Sequence, residues 1–264
     1  MPELPEVETV VRTIRPAVEG RTIARARILA PRIVCRDYKR VERRIPGRAI
    51  LSVRRHGKHI LIELSGGSFL TIHLGMTGRL LANGKPGAFT RAVFELDSGV
   101  LIYDDVRQFG RIGLHDSLPD RIRRLGPDAL SVSCEEFLAA LRRRKARVKP
   151  LLLNQEVLAG LGNIYADEAL FAARIHPRAI ASRLSRRRAR ALYEAVYGTL
   201  QRAIDSRGSS ISNYVDADGR EGSFQFEHKV YQRTGEPCAR CGSRIRRIVM
   251  AQRGTHYCPR CQRL

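Results

Sequence analysis

The chain has no tryptophan, and aromatic residues make up only 6% of its 264 positions. Its basic clusters come without a tryptophan- or phenylalanine-rich amphipathic face and without a lipidation motif, which argues against a membrane-surface anchor. Long apolar runs are also missing. None approaches the roughly 18 residues of a membrane span, so no membrane partner is expected. Acidic residues are few, 26 against 48 Lys and Arg, which leaves a formal charge of +22. Such an excess calls for a polyanion, and a phosphate backbone is the usual one. The opening is acidic rather than basic-then-apolar, so no secretory signal and a cytoplasmic location are expected. Of six cysteines, four crowd near the C-terminus while Cys35 and Cys134 stand alone. In a reducing compartment disulfides are not expected. Internal repeats and low-complexity stretches, apart from arginine clusters, are lacking. What is present is a 43% hydrophobic fraction, enough for a core, and a length that suits two domains better than one.

The apolar residues Leu4, Val7, Val10, Val11, Ile14 and Val18 recur at helical spacing, and Gly20 is a plausible stop. From residue 22 to about 115 the chain reads mostly as strands. Segments 60–64, 69–74 and 92–96 are β-rich, with Gly66-Gly67 and Asp97-Ser98-Gly99 as hairpin turns. This predicts a β-sandwich or barrel with one leading helix. The pattern changes near Leu118-Pro119-Asp120. Ser133-Cys134-Glu135-Glu136 is a capping-box start, and helical patterns continue over 151–158, 164–173 and 186–204. Residues 205–227 are polar and glycine-containing and read as a mobile loop.

Three groups of residues carry chemistry. The first is the start, Met1-Pro2-Glu3-Leu4-Pro5-Glu6. Removal of Met1 would leave Pro2 with a free secondary amine. An α-amine has a pKa of about 7.7–8.0, against about 10.4 for lysine, and when neutral can attack an anomeric carbon or aldehyde. Glu3 and Glu6 lie one turn apart on one face. The competing reading is an acidic first turn that complements the helix dipole. The second is Cys238-x2-Cys241-x16-Cys258-x2-Cys261, a two-knuckle pattern for one structural zinc, with two disulfides as the alternative. All four ligands are cysteine, so no position is left open for catalysis. From His228 to Leu264 there are nine Lys/Arg and one acid. A basic zinc-stapled hairpin fits nucleic acid, with a protein-binding ribbon as the competing use. The third is phosphate-type. Gly160-Leu161-Gly162-Asn163 leads into a helix start, just after six bases within residues 142–149. In the β region, Met76 sits in a glycine-flanked tip, an unpromising place to bury it. Such side chains can wedge between base pairs, and Arg107 could bond an exposed base edge. The alternative is two ordinary β-turns.

Together these features resemble the formamidopyrimidine-DNA glycosylase/endonuclease VIII family. The resemblance runs nearly end to end, through PELPEVE (2–8), RRHGK (54–58), HLGMTG (73–78), DVRQFG (105–110), GLGNIYADEAL (160–170) and QRGTHYCPRCQ (252–262). The PELPE opening favours the formamidopyrimidine branch. The resemblance implies an α+β multidomain protein: an N-terminal helix with a β-sandwich over 2–117, a helix–two-turn–helix domain with a lesion-capping loop over 130–227, and a zinc-finger β-hairpin over 228–264. It implies a bifunctional glycosylase and abasic-site lyase that flips out and removes oxidised purines from damaged duplex DNA, working as a monomer with one structural Zn2+. Pro2 would be the nucleophile and Glu3 would donate the proton that opens the sugar ring. Lys58 would act in the elimination, and Arg253 would clamp a phosphate and serve the second elimination. Met76, Arg107 and Phe109 would fill the vacated site, and Lys149 and Asn163 would grip phosphates. Glu6, His73, Arg91 and Arg144 complete the expected DNA contacts, and Ser212 to Phe226 would close over an extruded purine. Two positions depart from the pattern: Phe89 stands where many relatives have histidine, and Gln108 where some have a base. A glycosylase for oxidised pyrimidines and a non-catalytic lesion-binding zinc protein are the rival readings.

Overall fold

The computed structural model describes every residue except Arg36, Ser212 and Asn213. The chain divides into two compact units, Met1–Arg124 with Ser206–Gln225, and Leu125–Asp205 with Phe226–Leu264. These units divide at 124/125, 205/206 and 225/226, beside the expected domains 2–117, 130–227 and 228–264. The linking segment Ser206–Gln225 packs with the first unit, where Ser209 N–H and the Tyr214 hydroxyl bond to Glu6. The first two residues of the expected capping loop, Ser212 and Asn213, lie outside the described residues.

The first unit opens with α1 (Leu4–Val18). Its stripe of Leu4, Val7, Val10, Val11, Ile14 and Val18 is buried throughout. Each such side chain contributes about 1.5–3 kcal/mol of burial, so packing rather than helix propensity holds α1 in place. The helix ends as the spacing predicts, with Gly20 in the left-handed region at φ +80. Eight strands follow: β1 (Thr22–Ile28), β2 (Arg48–His56), β3 (His59–Leu64), β4 (Ser68–His73), β5 (Gly78–Ala82), β6 (Thr90–Leu96), β7 (Val100–Asp105) and β8 (Arg111–His115). All pairings are antiparallel, in the order β5-β7-β6-β1-β2-β3-β4-β8. The β1–β2 link is only two residue pairs long, Thr22 with Ala49 and Ile23 with Arg48, so the strands form two four-stranded layers joined at a corner. This is the expected β-sandwich, with α1 against β2, β3 and β5. Between β1 and β2 lies a helix the sequence reading missed, α2 (Tyr38–Arg44), started by Asp37, whose side chain accepts from Lys39 N–H at 2.9 Å. A single turn, α3 (Asp120–Arg123), closes the unit.

The second unit contains α4 (Cys134–Arg142), α5 (Val148–Leu153), α6 (Asn163–Ala172) and α7 (Arg186–Asp205), then the hairpin β9 (Arg246–Met250) and β10 (Arg253–Tyr257). The Ser133 capping box is present: Ser133 N–H donates to Glu136 Oε2 at 3.0 Å and Glu136 N–H to Ser133 Oγ at 3.3 Å. The helix expected over 151–158 is instead cut at Leu153. Asn154 turns extended, and its side chain accepts from Glu156 N–H at 2.9 Å, so the apolar residues beyond it bury in a turn. Among the described residues no helix is long and apolar enough to cross a membrane.

Candidate active site and nucleic-acid interface

In the first unit, the turn that starts α1 brings together Pro2, Glu3 and Glu6, with Met1 still attached to Pro2. Pro2 is buried, and Glu3 and Glu6 are 3% and 2% exposed. Glu3 N–H donates to Glu6 Oε2 at 2.8 Å, which closes the turn reciprocally. Glu6 Oε1 accepts from Ser209 N–H at 2.8 Å, and the Glu6 carbonyl accepts from the Tyr214 hydroxyl at 3.3 Å. Burial pushes that Tyr214 hydroxyl well above its usual pKa. Glu6, expected at DNA, is thus buried with its carboxylate bonded to Glu3 and Ser209. Lys58 is 9% exposed in the β2–β3 turn. Near it in sequence, Arg55 bonds Glu8 at 2.8 Å, as does Arg12. Burial pushes the Glu8 carboxyl up, but the two guanidiniums outweigh it and hold it ionised, below its ordinary pKa.

The two tips singled out in the sequence meet. Gly75 has φ +63, and a Cβ there would lie 2.5 Å from Gly110 N and 2.6 Å from the Phe109 carbonyl carbon, so only glycine lets the β4–β5 turn touch the β7–β8 turn. The fastener is Asp105, fully buried. Its carboxylate accepts from Thr77 Oγ1 at 2.5 Å, Gly110 N–H at 2.8 Å and the Tyr103 hydroxyl at 3.3 Å. Thr77 Oγ1 in turn accepts from Arg107 N–H at 3.0 Å. On this platform Met76 and Phe109 stand 39% and 47% exposed, and the Arg107 guanidinium lies 4.7 Å over the Phe109 ring. Arg91 Nε donates to the Asp105 carbonyl at 2.9 Å, so much of its fork is spent inside the protein. Phe89, at the departing position, is 51% exposed, and its carbonyl accepts from Asp105 N–H at 2.9 Å. Gln108, the other departure, adopts a left-handed φ of +55 between Arg107 and Phe109. His73 Nδ1 accepts from Gly75 N–H at 3.1 Å, and its ring lies 4.9 Å from that of His59. Burial, then the charge of Lys58, lowers His73 to about 4. Burial and then His73 lower His59 to about 3. Both rings are neutral at physiological pH.

In the second unit, α6 is apolar nearly all round and buried. Its two carboxylates are anchors. Glu168 accepts from the N–H groups of Lys229, Val230 and Tyr231 at 2.9, 2.9 and 2.8 Å, although burial still raises its pKa. Asp167 Oδ1 forms an ion pair with Lys149 Nζ at 2.6 Å, and Asp167 Oδ2 accepts from His256 N–H at 2.8 Å. Lys149, expected at a phosphate, is instead wholly buried, and its ammonium also donates to Thr255 Oγ1 at 2.8 Å and Gly254 O at 3.2 Å. An ammonium has three N–H groups, and these oxygens use them. Asn163 is half-buried, and its Nδ2 donates to Gly254 O at 3.0 Å. Arg144 is half-buried with one bond to the Ala140 carbonyl at 3.0 Å, and Arg253 is exposed at the β9–β10 tip.

The four cysteine sulfurs lie within 4.8 Å of one another, with Cys241–Cys258 at 3.5 Å and Cys238–Cys261 at 3.9 Å. Zn–S bonds of ~2.3 Å at tetrahedral angles put sulfurs about 3.8 Å apart, so the quartet is close to the arrangement that one zinc needs. Without a cation a thiolate is disfavoured at Cys261: burial and then the neighbouring thiols push it up to about 12. A divalent cation reverses that preference by binding thiolate.

Of the residues the sequence reading passed over, Asp105 lay within a quoted motif and Asp167 and Glu168 within an apolar helical run, which was itself a signal. His256 likewise lay within a quoted motif, while His59, Ser209 and Tyr214 carried no such signal.

Family models for the formamidopyrimidine-DNA glycosylase N-terminal domain and helix–two-turn–helix domain match residues 1–112 and 125–215, and a model of the zinc finger found in Fpg and isoleucyl-tRNA synthetase matches 235–264. A formamidopyrimidine-DNA glycosylase of Solibacter usitatus is 54% identical over the whole of both chains. Among solved structures, the Fpg protein of Thermus thermophilus is 42% identical with a TM-score of 0.89, over 99% of this chain and 98% of its own. The Lactococcus lactis Fpg in complex with DNA containing an abasic site is 36% identical with a TM-score of 0.91, over 99% of this chain and all of its own.

Proposed function

Because this chain belongs to the formamidopyrimidine-DNA glycosylase family, we propose that it removes oxidised purines from duplex DNA in base excision repair and then cleaves the strand at the resulting abasic site. The observation that carries the assignment of chemistry is the turn in which Pro2 lies beside the buried, braced pair Glu3 and Glu6. Once Met1 is removed, the Pro2 amine attacks C1′ of the damaged nucleotide and the base leaves with the glycosidic electron pair. Glu3, held at the helix start, gives its proton to the ring oxygen as the ring opens to an iminium. The iminium acidifies the C2′ proton. Its loss expels the 3′ phosphate, and a second elimination expels the 5′ phosphate. Lys58, in the β2–β3 turn of the same unit, serves the proton transfers, and Arg253 holds a phosphate.

Chemistry on a base requires its removal from the stack, at a cost of a few kcal/mol. The Met76–Arg107–Phe109 platform supplies what occupies the void. Its stiffness comes from Asp105 and Gly75 rather than from the exposed residues themselves. Bound zinc supplies no reaction step; it closes the hairpin that presents Arg253.

Borohydride trapping on a duplex containing 8-oxoguanine tests the proposal. A covalent protein–DNA adduct should form with the processed chain and fall sharply in Pro2→Gly. Full trapping by a chain with an additional residue before Pro2 would exclude the N-terminal amine. Faster release from a thymine glycol duplex than from 8-oxoguanine would move the substrate to oxidised pyrimidines.

A further inference from the structure

The Arg253 side chain has almost nothing of its own to hold it. It is exposed, and among the described residues its guanidinium makes one long bond, 3.5 Å from Nη1 to the Gln252 carbonyl. The turn that carries it is itself awkward. Met250 pairs with Arg253, and the two residues between them, Ala251 and Gln252, have φ of +47 and +56. Such two-residue turns normally use Asn or Gly, and side chains in the left-handed region are disfavoured there. A tip of this kind drifts unless something outside it fixes its backbone.

That something is on α6. The Arg253 carbonyl accepts from Thr255 Oγ1 at 3.3 Å, and Thr255 Oγ1 accepts from Lys149 Nζ at 2.8 Å. The next carbonyl, Gly254 O, takes two donors, Lys149 Nζ at 3.2 Å and Asn163 Nδ2 at 3.0 Å. The next residue but one, His256, gives its N–H to Asp167 Oδ2 at 2.8 Å, and its ring Nδ1 lies 3.1 Å from the same oxygen. Asp167 Oδ1 pairs with Lys149 at 2.6 Å. Lys149 and Asp167 are 0% and 1% exposed. One buried carboxylate thus reaches the tip by two routes, directly through His256 and indirectly through the ammonium it pairs with, beside the separate bond from Asn163.

We propose that Asp167 is the positioning residue for Arg253, fixing the backbone of residues 253–256 through Lys149 and His256 so that the Arg253 guanidinium is presented to a DNA phosphate. This rests on the assignment of Arg253 to a phosphate made above. A buried ion pair is weak evidence for net stability, since desolvation offsets much of the attraction; its better-attested use is to specify one arrangement. Here that arrangement is the seat of an exposed cation whose own side chain does little to restrain it.

The test is a double-mutant cycle on the zinc-loaded full chain, with a duplex containing a tetrahydrofuran abasic analogue as probe and affinity followed against salt. Arg253→Ala should make the log–log salt slope shallower by about 0.9, the value for one phosphate contact. Asp167→Asn should produce the same change although it is not at the surface. Arg253→Ala made in the Asp167→Asn background should then add less than about twofold to the loss of affinity, the limit of near-complete coupling. Asp167→Glu should restore part of the slope. A Lys149→Met/Asp167→Leu chain removes the pair without leaving a buried lone charge, and serves if Asp167→Asn fails to fold as judged by zinc content and melting. It too should lose the slope. If Arg253→Ala flattens the slope while Asp167→Asn and the apolar pair leave it unchanged, or if the losses add, the positioning role is refuted and the Arg253 assignment stands. If Arg253→Ala itself leaves the slope unchanged, the phosphate assignment is wrong and the positioning role falls with it.

Discussion

Acidification should loosen the first unit through His73. In the fold His73 is lowered to about 4, first by burial and then by the charges of Lys58, Arg121 and Arg111. In the unfolded chain it titrates at its ordinary value near 6.5. Between these two values the unfolded chain binds a proton that the folded one refuses. Stability is therefore flat above about pH 6.5 and falls as pH drops toward 4. At about pH 5 the gap of some 1.5 units corresponds to roughly 2 kcal/mol from this ring alone. The structural consequence is local as well. His73 Nδ1 accepts the Gly75 N–H, and a protonated ring cannot, so the turn that carries Met76 loses its brace. His73→Asn keeps an acceptor oxygen for Gly75 and cannot take up the proton. Urea unfolding of the wild type and His73→Asn at about pH 7 and pH 5 measures the effect, together with the smaller part that His73 contributes to lowering His59. The wild type should lose about 2 kcal/mol more than the variant on acidification. Equal losses would refute the reasoning and show that His73 is not held neutral by its burial.

Asp105→Ala should destabilise the first unit by about 3 kcal/mol, because Gly110 N–H and two hydroxyls lose a charged acceptor; denaturant midpoints check this, and base excision should slow with it. Phe109→Ala should slow excision from an 8-oxoguanine duplex more than cleavage at a preformed abasic site, where no base needs extruding; equal loss on both would remove Phe109 from the wedge. Cys258→Ser, or chelation, should release about one metal ion per chain and weaken DNA binding while the β-sandwich keeps its own melting transition; normal binding by the metal-free chain would remove the finger from the interface.

Some of this protein is written in local sequence and the rest is not. Helical spacing and Gly20 set α1 and its end, because an apolar stripe must be buried and a left-handed stop favours glycine. Ser133 and Glu136 set the start of α4 because they satisfy each other's backbone. The pairs of cysteines set the metal quartet, because the short loop within each pair brings its two sulfurs together. Local signals misled where a side chain competed with the helix, as Asn154 does at the end of α5, and α2 went unseen because one short amphipathic turn among strands has no distinctive period.

Tertiary structure decided which charged groups stay exposed and which hold the protein together. Lys149 stands in a basic run and reads as surface, yet it is buried against Asp167, a partner 18 residues away whose meaning appears only once α5 and α6 pack. Glu6 reads as part of an acidic turn, yet it is the acceptor for Ser209, more than 200 positions along the chain. Asp105 reads as one of two adjacent acids in a turn, yet it fastens the two tips. The physical reason is common to all three. A buried charge persists only where donors converge on it, and donors from distant segments converge only in the folded chain. The sequence alone therefore determined the family and the four-cysteine zinc site, and only the fold decided which of its other charges are buried as struts.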